Sequence, residues 1–437
     1  MKTKFLLALF LVLSLAGNSV AWVLAIKGGK IFTMGSQVIN DGVIIIENNR
    51  IIEVGNNIQI PPEAEIIDAT GKIITPGLFD SYDQIGLEEI GMVRATVDTE
   101  EKSSPVTPEV RVIDAFNTQS KLIPVARIEG VTTVLTAPGT GNVIAGQSAI
   151  IDLYGSTIDE MIVKSPAALH INFGEDPTSA WRTRHKIDTR MGLVALLRQS
   201  LVDAQEYRRK WDSYKAKLIQ YNENLKLPKN KQRKDLEEPA PPDRDLGKES
   251  ILLALDRQIP VIASANRKDD IIAAIGVAEE FNLKLILLHA AEAYMVADIL
   301  KKKNIPVLLG PITTQPSSME SQGAIYENAA LLDRAGVIFA IIAGSSHGLR
   351  DLRFQAGIAA EYGLPVSSAL KAITINPALI LGVEKDLGSI EPGKIANIAI
   401  FDGDPLQPLT KVTDVVIEGR RIPMESFQTE LYRQYNK

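Results

Sequence analysis

Hydrophobic and polar positions change rhythm several times along the chain. Residues 5–16 are nearly unbroken apolar, follow Lys2 and Lys4, and lead to Ser19-Val20-Ala21. A charged start, a short apolar run and small residues together predict a signal peptide over 1–21. The run is short of the roughly 20 residues that a membrane span needs. From about residue 22 to 76, Ile- and Val-rich segments at 23–26, 30–33, 42–47, 50–54 and 65–68 alternate with turn residues such as Asn40-Asp41-Gly42. That grammar predicts short strands, too few to close a sandwich alone.

Between residues 77 and 381 the pattern becomes strand, loop, helix, repeated. Apolar segments at 132–136, 149–153, 169–173, 260–263, 283–289, 306–309 and 337–343 predict strands. Amphipathic stretches at 269–281, 291–303 and 320–335 predict helices between them. Alternating strands and helices imply a parallel sheet, and this many units suits a (β/α)8 TIM barrel. A doubly wound open sheet is the competing architecture. After residue 382 strand-like segments return at 395–401 and 414–418. The two chain ends, 22–76 and 382–437, are therefore expected to form a composite β-sandwich beside the barrel.

Residues 181–248 break the rhythm with a long charged helix, expected over 189–224, then a Lys- and Pro-rich stretch. Its basic clusters are interleaved with Glu and Asp, which reads as a solvated surface rather than a nucleic-acid patch. The whole chain agrees: 47 Lys and Arg against 53 Asp and Glu give −6, and no basic field points to nucleic acid. Cysteine is absent, which removes disulfides, thiolate metal sites, a cysteine nucleophile and lipoprotein attachment. An exported protein, periplasmic or secreted and without a membrane span after cleavage, is the expectation. Histidine occurs only at His170, His185, His289 and His347; any histidine metal site must draw on these.

Thr75-Pro76-Gly77-Leu78-Phe79-Asp80, Thr374-Ile375-Asn376-Pro377-Ala378 and Gly388-Ser389-Ile390-Glu391-Pro392-Gly393-Lys394 together resemble the amidohydrolase superfamily. Val97-Asp98-Thr99-Glu100-Glu101, Pro105-Val106-Thr107-Pro108-Glu109, residues 137–147 and Asn266-Arg267-Lys268-Asp269-Asp270 resemble its secreted imidazolonepropionase-like or prolidase-like branch. The resemblance implies a metal-dependent hydrolase of C–N bonds, non-peptide or dipeptide, built on a TIM barrel with a composite β-domain. In that family one or two divalent ions, zinc or another metal, generate a hydroxide and polarise the scissile carbonyl.

The family pattern places His-x-His on the first barrel strand, often a carboxylated Lys on the fourth, His on the fifth and sixth, and Asp on the eighth. Matched residue by residue, the first-strand positions fall on Tyr82 and Gln84, the fourth on His170, the fifth on Ser264 and Asn266, and the sixth on His289. The eighth falls on Ser346, with His347 following. The resemblance therefore implies a metal site largely replaced, with His170, His289 and His347 as remaining candidate ligands. Asp80 and His347 are the candidate catalytic groups. Asn142 and Gln147, in a glycine-rich turn able to hold an anion through backbone amides, are candidate ligand contacts.

Three readings follow. In the first, the fold persists without the usual metal chemistry and serves a small-molecule ligand, an active paralogue or a homo-oligomer. In the second, His170, His289 and His347, helped by Asp80 or a loop carboxylate, form a rebuilt three-ligand metal site. In the third, the 181–248 insertion makes the chain a scaffold subunit.

Overall fold

The computed structural model describes residues 22–436 apart from 36, 186, 315 and 317, and leaves out the side chains of 184 and 185. The expected signal peptide over 1–21 lies outside the described residues. The chain opens with β1 (Val23–Phe32), β2 (Val38–Glu47), β3 (Arg50–Gly55), β4 (Glu65–Asp68) and β5 (Ile73–Pro76). It continues through β6 (Leu78–Asp83), β7 (Val131–Thr136), β8 (Ile144–Asp152), β9 (Ile162–Asn172), β10 (Val261–Ala265), β11 (Leu285–His289), β12 (Val307–Leu309) and β13 (Phe339–Ile341). It returns to strand at β14 (Ile398–Phe401), β15 (Val412–Ile417) and β16 (Arg420–Ile422).

The first five and last three strands form one sheet in the order β16-β15-β14-β5-β1-β2-β3, with β4 also paired to β1. Both chain ends thus complete a single element, as the patterning at 22–76 and 382–437 implies. Its core is a run of Ile, Leu and Val side chains, among them Ile26, Ile44, Ile74, Ile398 and Val416. Ile74 and Ile400 lie opposite each other where the N- and C-terminal pieces pair. Gly77, at the passage into the barrel, has no room for a side chain: a Cβ there would stand 2.2 Å from Thr132 Oγ1.

Strands β6 to β13 are neighbours in sequence order and form the barrel. All successive pairs are parallel except at β8, which runs antiparallel to both β7 and β9. The expected all-parallel barrel therefore has a reversed third strand. The physical reason is connection length: a parallel crossover needs a dozen or more residues. The chain instead turns back between Thr136 and Ile144, and between Asp152 and Ile162 it holds only the one-turn helix Ile158–Met161. The expected helix over 320–335 is also shorter, Asn328–Ala335.

Phe79, Leu135, Ile150, Ala168, Ile262, Ile286, Leu288, Leu308, Ala340 and Ile342 fill the barrel interior, and Tyr82 belongs to the same cluster. A second, larger cluster packs the outer faces of the strands against the helices. Alternation along each strand divides these two sets, so β9 sends Ala168 inward and Leu169 and Ile171 outward.

The insertion is dominated by one helix, Arg190–Lys226, of 37 residues and about 55 Å length. Thr189 caps it, its Oγ1 accepting from the Gly192 amide. Leu193, Leu197, Leu201, Ala204 and Tyr207 are buried; beyond Tyr207 only Asn224 is. Among the described residues no helix is long and apolar enough to cross a membrane.

At the opposite end of the barrel from its mouth, Asp152 is fully buried. It accepts from Thr133 Oγ1 (2.6 Å) and Asn397 Nδ2 (3.0 Å), while its second oxygen has no partner. Burial pushes this carboxyl up to about 7. Because the folded state binds the proton more tightly than the unfolded chain, the stabilisation is complete below the unfolded value of about 3.9 and is lost as pH rises through about 7. Asp152→Asn is therefore predicted to raise the melting temperature by roughly 2–4 °C at pH 8 and to change little at pH 5. Thermal melts at both pH values check this; the same shift at both would exclude Asp152 ionisation as the cause.

Candidate functional site

The ends of β6, β9, β10 and β11 bring Tyr82, His170, Ser264 and His289 to one mouth of the barrel. In the β9–β10 ladder Ile262 lies opposite His170, and Ser264 opposite Asn172. In the β10–β11 ladder Ala265 lies opposite His289. Ser264 Oγ is 3.1 Å from His289 Nδ1. The Tyr82 ring packs edge-on against His289 with centroids 5.4 Å apart, and lies 6.1 Å from the His170 ring. Tyr82 also donates its hydroxyl to the Pro138 carbonyl at 3.2 Å. A buried phenol thus occupies the mouth and contacts both imidazoles.

The electrostatics of this cluster favour neutral groups. Burial holds His170 down to about 3 and His289 down to about 4; for His289 the Asp176 carboxylate opposes that effect. The Tyr82 hydroxyl is pushed upward by burial first and by Asp83, Glu100 and Asp176 next. At neutral pH two uncharged imidazoles therefore face an uncharged phenol. His170 Nε2 is buried with no hydrogen-bond partner.

His289 sits in the left-handed region at φ +66°, and Ala290 follows at φ +49°. The Ala290 amide closes the turn by donating to the Leu288 carbonyl. Consecutive non-glycine residues in this region cost of order 1–3 kcal/mol each, so the surrounding ladder fixes the imidazole's direction against local preference.

Asp80, a candidate catalytic group, is fully buried and already engaged. Its Oδ1 accepts from the Tyr82 amide at 3.1 Å and its Oδ2 from the Ala343 amide at 3.0 Å. Burial, and then the charge of Asp83, raise its proton affinity. His347, the other candidate, is exposed. Ser346 is buried and its hydroxyl lacks a partner. Asp83 accepts from the Ile85 amide, and burial pushes its carboxyl up to about 7. Among the described residues no group of three or more His, Cys, Asp or Glu side chains is placed to hold a metal ion. His170, His289, His347 and Asp80 thus do not converge. The side chain of His185 lies outside the described residues.

The proposed ligand contacts at Asn142 and Gln147 are spent on the scaffold. Asn142 donates to the Glu101 carbonyl and Thr107 Oγ1 and accepts from Trp181 Nε1. Gln147 donates to the Pro108 carbonyl and Ser250 Oγ. The glycine-rich turn does meet an anion, but it is the protein's own. Gly141 donates its amide to Glu100 Oε1 at 3.2 Å, and a Cβ on Gly141 would stand 2.7 Å from that oxygen. Gln84 approaches the same place: a Cβ on Gly139 would lie 3.0 Å from its Nε2. No motif signalled this seating of Glu100.

Beside His289 opens a cavity of about 220 Å³, lined by Asp176, Asn266, Leu309, Ile312, Glu320 and Ile325 among others. Glu320 joins it to the insertion, because Arg190 bridges Asp270 (2.8 Å) and Glu320. Glu292 accepts from the Lys268 amide at the start of the helix Lys268–Glu280.

A barrel joined to a sheet built from both chain ends is the architecture of the amidohydrolase class. The amidohydrolase family model matches residues 256–422. An amidohydrolase of known structure from Thermotoga maritima is 33% identical with a TM-score of 0.83, covering 92% of this chain and 99% of that one. Amidohydrolase tasK of Hapsidospora irregularis is 26% identical over 403 residues, 86% of this chain, but this chain spans only 39% of that relative's length. An imidazolonepropionase from Sphingopyxis alaskensis is 23% identical over 439 residues, covering 86% of this chain and 90% of its own. The chain belongs to the amidohydrolase family, whose members usually use divalent metals.

Proposed function

We propose that this chain is an exported amidohydrolase-family protein that has given up the usual metal-dependent hydrolysis and acts as a ligand-binding or partner subunit. The observation that carries this reading is the Tyr82 ring in contact with both His170 and His289. In the family pattern, position 82 supplies a histidine to the metal. A neutral phenol is a poor zinc ligand, and its ring takes up volume beside the two imidazoles. Tyr82, Gln84, Ser264, Asn266 and Ser346 stand where relatives keep ligands, and a catalytic zinc needs three protein ligands. The small cavity beside His289 is where a ligand would enter. The partner would be an active paralogue or a second copy of this chain, in the periplasm or outside the cell.

One observation favours a rebuilt mononuclear site instead: the buried, unpartnered Nε2 of His170. The two readings separate on metal content. Purified mature protein dialysed against zinc or manganese is predicted to retain well under one ion per chain, with a melting temperature unmoved by a chelator. About one ion per chain, together with a fall in melting temperature on chelation, would establish the rebuilt site. The scaffold reading draws on the helix beyond Tyr207, where no residue is fully buried until Asn224.

A further inference from the structure

Away from the mouth, where turns of the terminal sheet meet the lower end of the barrel, lies a cavity of about 620 Å³. Asn48, Arg127, Tyr154, Glu160, Glu418 and Arg420 are among its lining residues. Two of the four charged groups are already committed. Glu160 accepts from the Ser156 amide and hydroxyl, both at 2.8 Å, and from the Thr157 amide. Arg420 lies over the Trp22 ring, 5.2 Å from its centroid.

The other two are not. Arg127 ends the helix Leu122–Arg127 and donates one NH1 bond to the Leu153 carbonyl at 3.2 Å. Its Nε is buried without a partner. Glu418, in the turn between β15 and β16, is partly buried at φ +49°. Its amide donates to Asn397 Oδ1, which fixes the backbone and leaves the carboxylate free. Arg127 and Glu418 form no ion pair with each other or with any described residue.

Opposite charges that share a cavity and stay unpaired are each partly stripped of water without compensation. Burial weakens the proton hold of Arg127 and strengthens that of Glu418, as expected for charges lacking partners. Behind Glu418 stands Asp152, whose ionisation the Glu418 charge opposes. One wall therefore attracts a cation and the other a carboxylate. A simple anion would meet Glu418 and Glu160, and a simple cation would meet Arg127 and Arg420.

We propose that this cavity binds a small zwitterion, an α-amino acid, with its carboxylate on the Arg127 guanidinium and its ammonium on the Glu418 carboxylate. The site lies apart from the barrel mouth and does not depend on whether the mouth holds a metal. Isothermal titration of the full mature chain at pH 7.5 with L-alanine and L-leucine tests it, with acetate and methylammonium as single-charge controls. Saturable binding of the amino acids is expected, with the controls at least about tenfold weaker. Glu418→Gln and Arg127→Gln should each weaken amino-acid binding by about tenfold or more. Glu418 sits at a turn, so its variant decides the matter even where Arg127→Gln fails to fold. No binding of either amino acid overturns the proposal. So does acetate binding as tightly as L-alanine, or unchanged affinity in Glu418→Gln.

Discussion

Replacing Asp80 by alanine is expected to destabilise the protein by about 3–5 kcal/mol. The carboxyl is fully buried and accepts two backbone amides, from Tyr82 and from Ala343. Its bond to Ala343 reaches across the barrel's closing seam: β6 and β13 are the two ends of the sheet order and share no ladder. The Phe79 amide supplies a further tie near the seam through the Ile373 carbonyl. Truncation leaves two buried donors unpaired, at about 1–3 kcal/mol each, and opens a small void. Asp80→Asn keeps one acceptor oxygen and should lose less, about 1–2 kcal/mol. Urea unfolding of both variants measures this. A loss under about 1 kcal/mol for Asp80→Ala would mean that neighbouring contacts alone hold the seam.

Trp181→Ala is predicted to cost about 3–5 kcal/mol, as expected for emptying a buried aromatic site. Trp181 lies in the helix Glu175–His185 at the start of the insertion and is 2% exposed. Its indole Nε1 donates to Asn142 Oδ1 at 2.9 Å. Asn142 in turn holds the Glu101 carbonyl, Thr107 and, through its own carbonyl, the Asn172 amide group. Removing the indole thus empties a core site and unpairs the residue that ties the β7–β8 turn to β9. Trp181→Phe separates the two effects, because it keeps most of the volume and loses the hydrogen bond to Asn142. Equilibrium unfolding measures both. Trp181→Ala losing no more than Trp181→Phe would assign the whole effect to the hydrogen bond.

Much of this architecture was legible in the chain. Ile and Val alternation located most strands of both sheets, though not β5, β6 or β16, and Thr189 marked the start of the long helix. The Thr75–Asp80 and Gly388–Lys394 segments pointed to the family. Strand direction was not legible, because apolar periodicity says which face is buried and not which way the chain runs. The partners of Asp80 and Asn142 were hidden for another reason. Ala343 is 263 residues from Asp80, and Trp181 is 39 from Asn142, and spacing carries no information about such pairs. At the mouth, the contact of Tyr82 with two imidazoles is a property of the folded barrel that residue spacing does not announce. The seating of Glu100 on the glycine-rich turn was invisible because a turn able to hold an anion does not name its anion.

The reversed third strand also bears on how the barrel comes together. Because β7, β8 and β9 pair antiparallel through short turns, these three strands meet through contacts close in sequence. Local pairing costs little loop-closure entropy. The remaining strands are brought together by helical crossovers, and the seam closes only when the chain has reached Ala343. The β7–β8–β9 meander is thus the part of the barrel with the lowest contact order, and low contact order favours rapid assembly. A change of direction in one strand gives the barrel a local starting point that an all-parallel arrangement lacks.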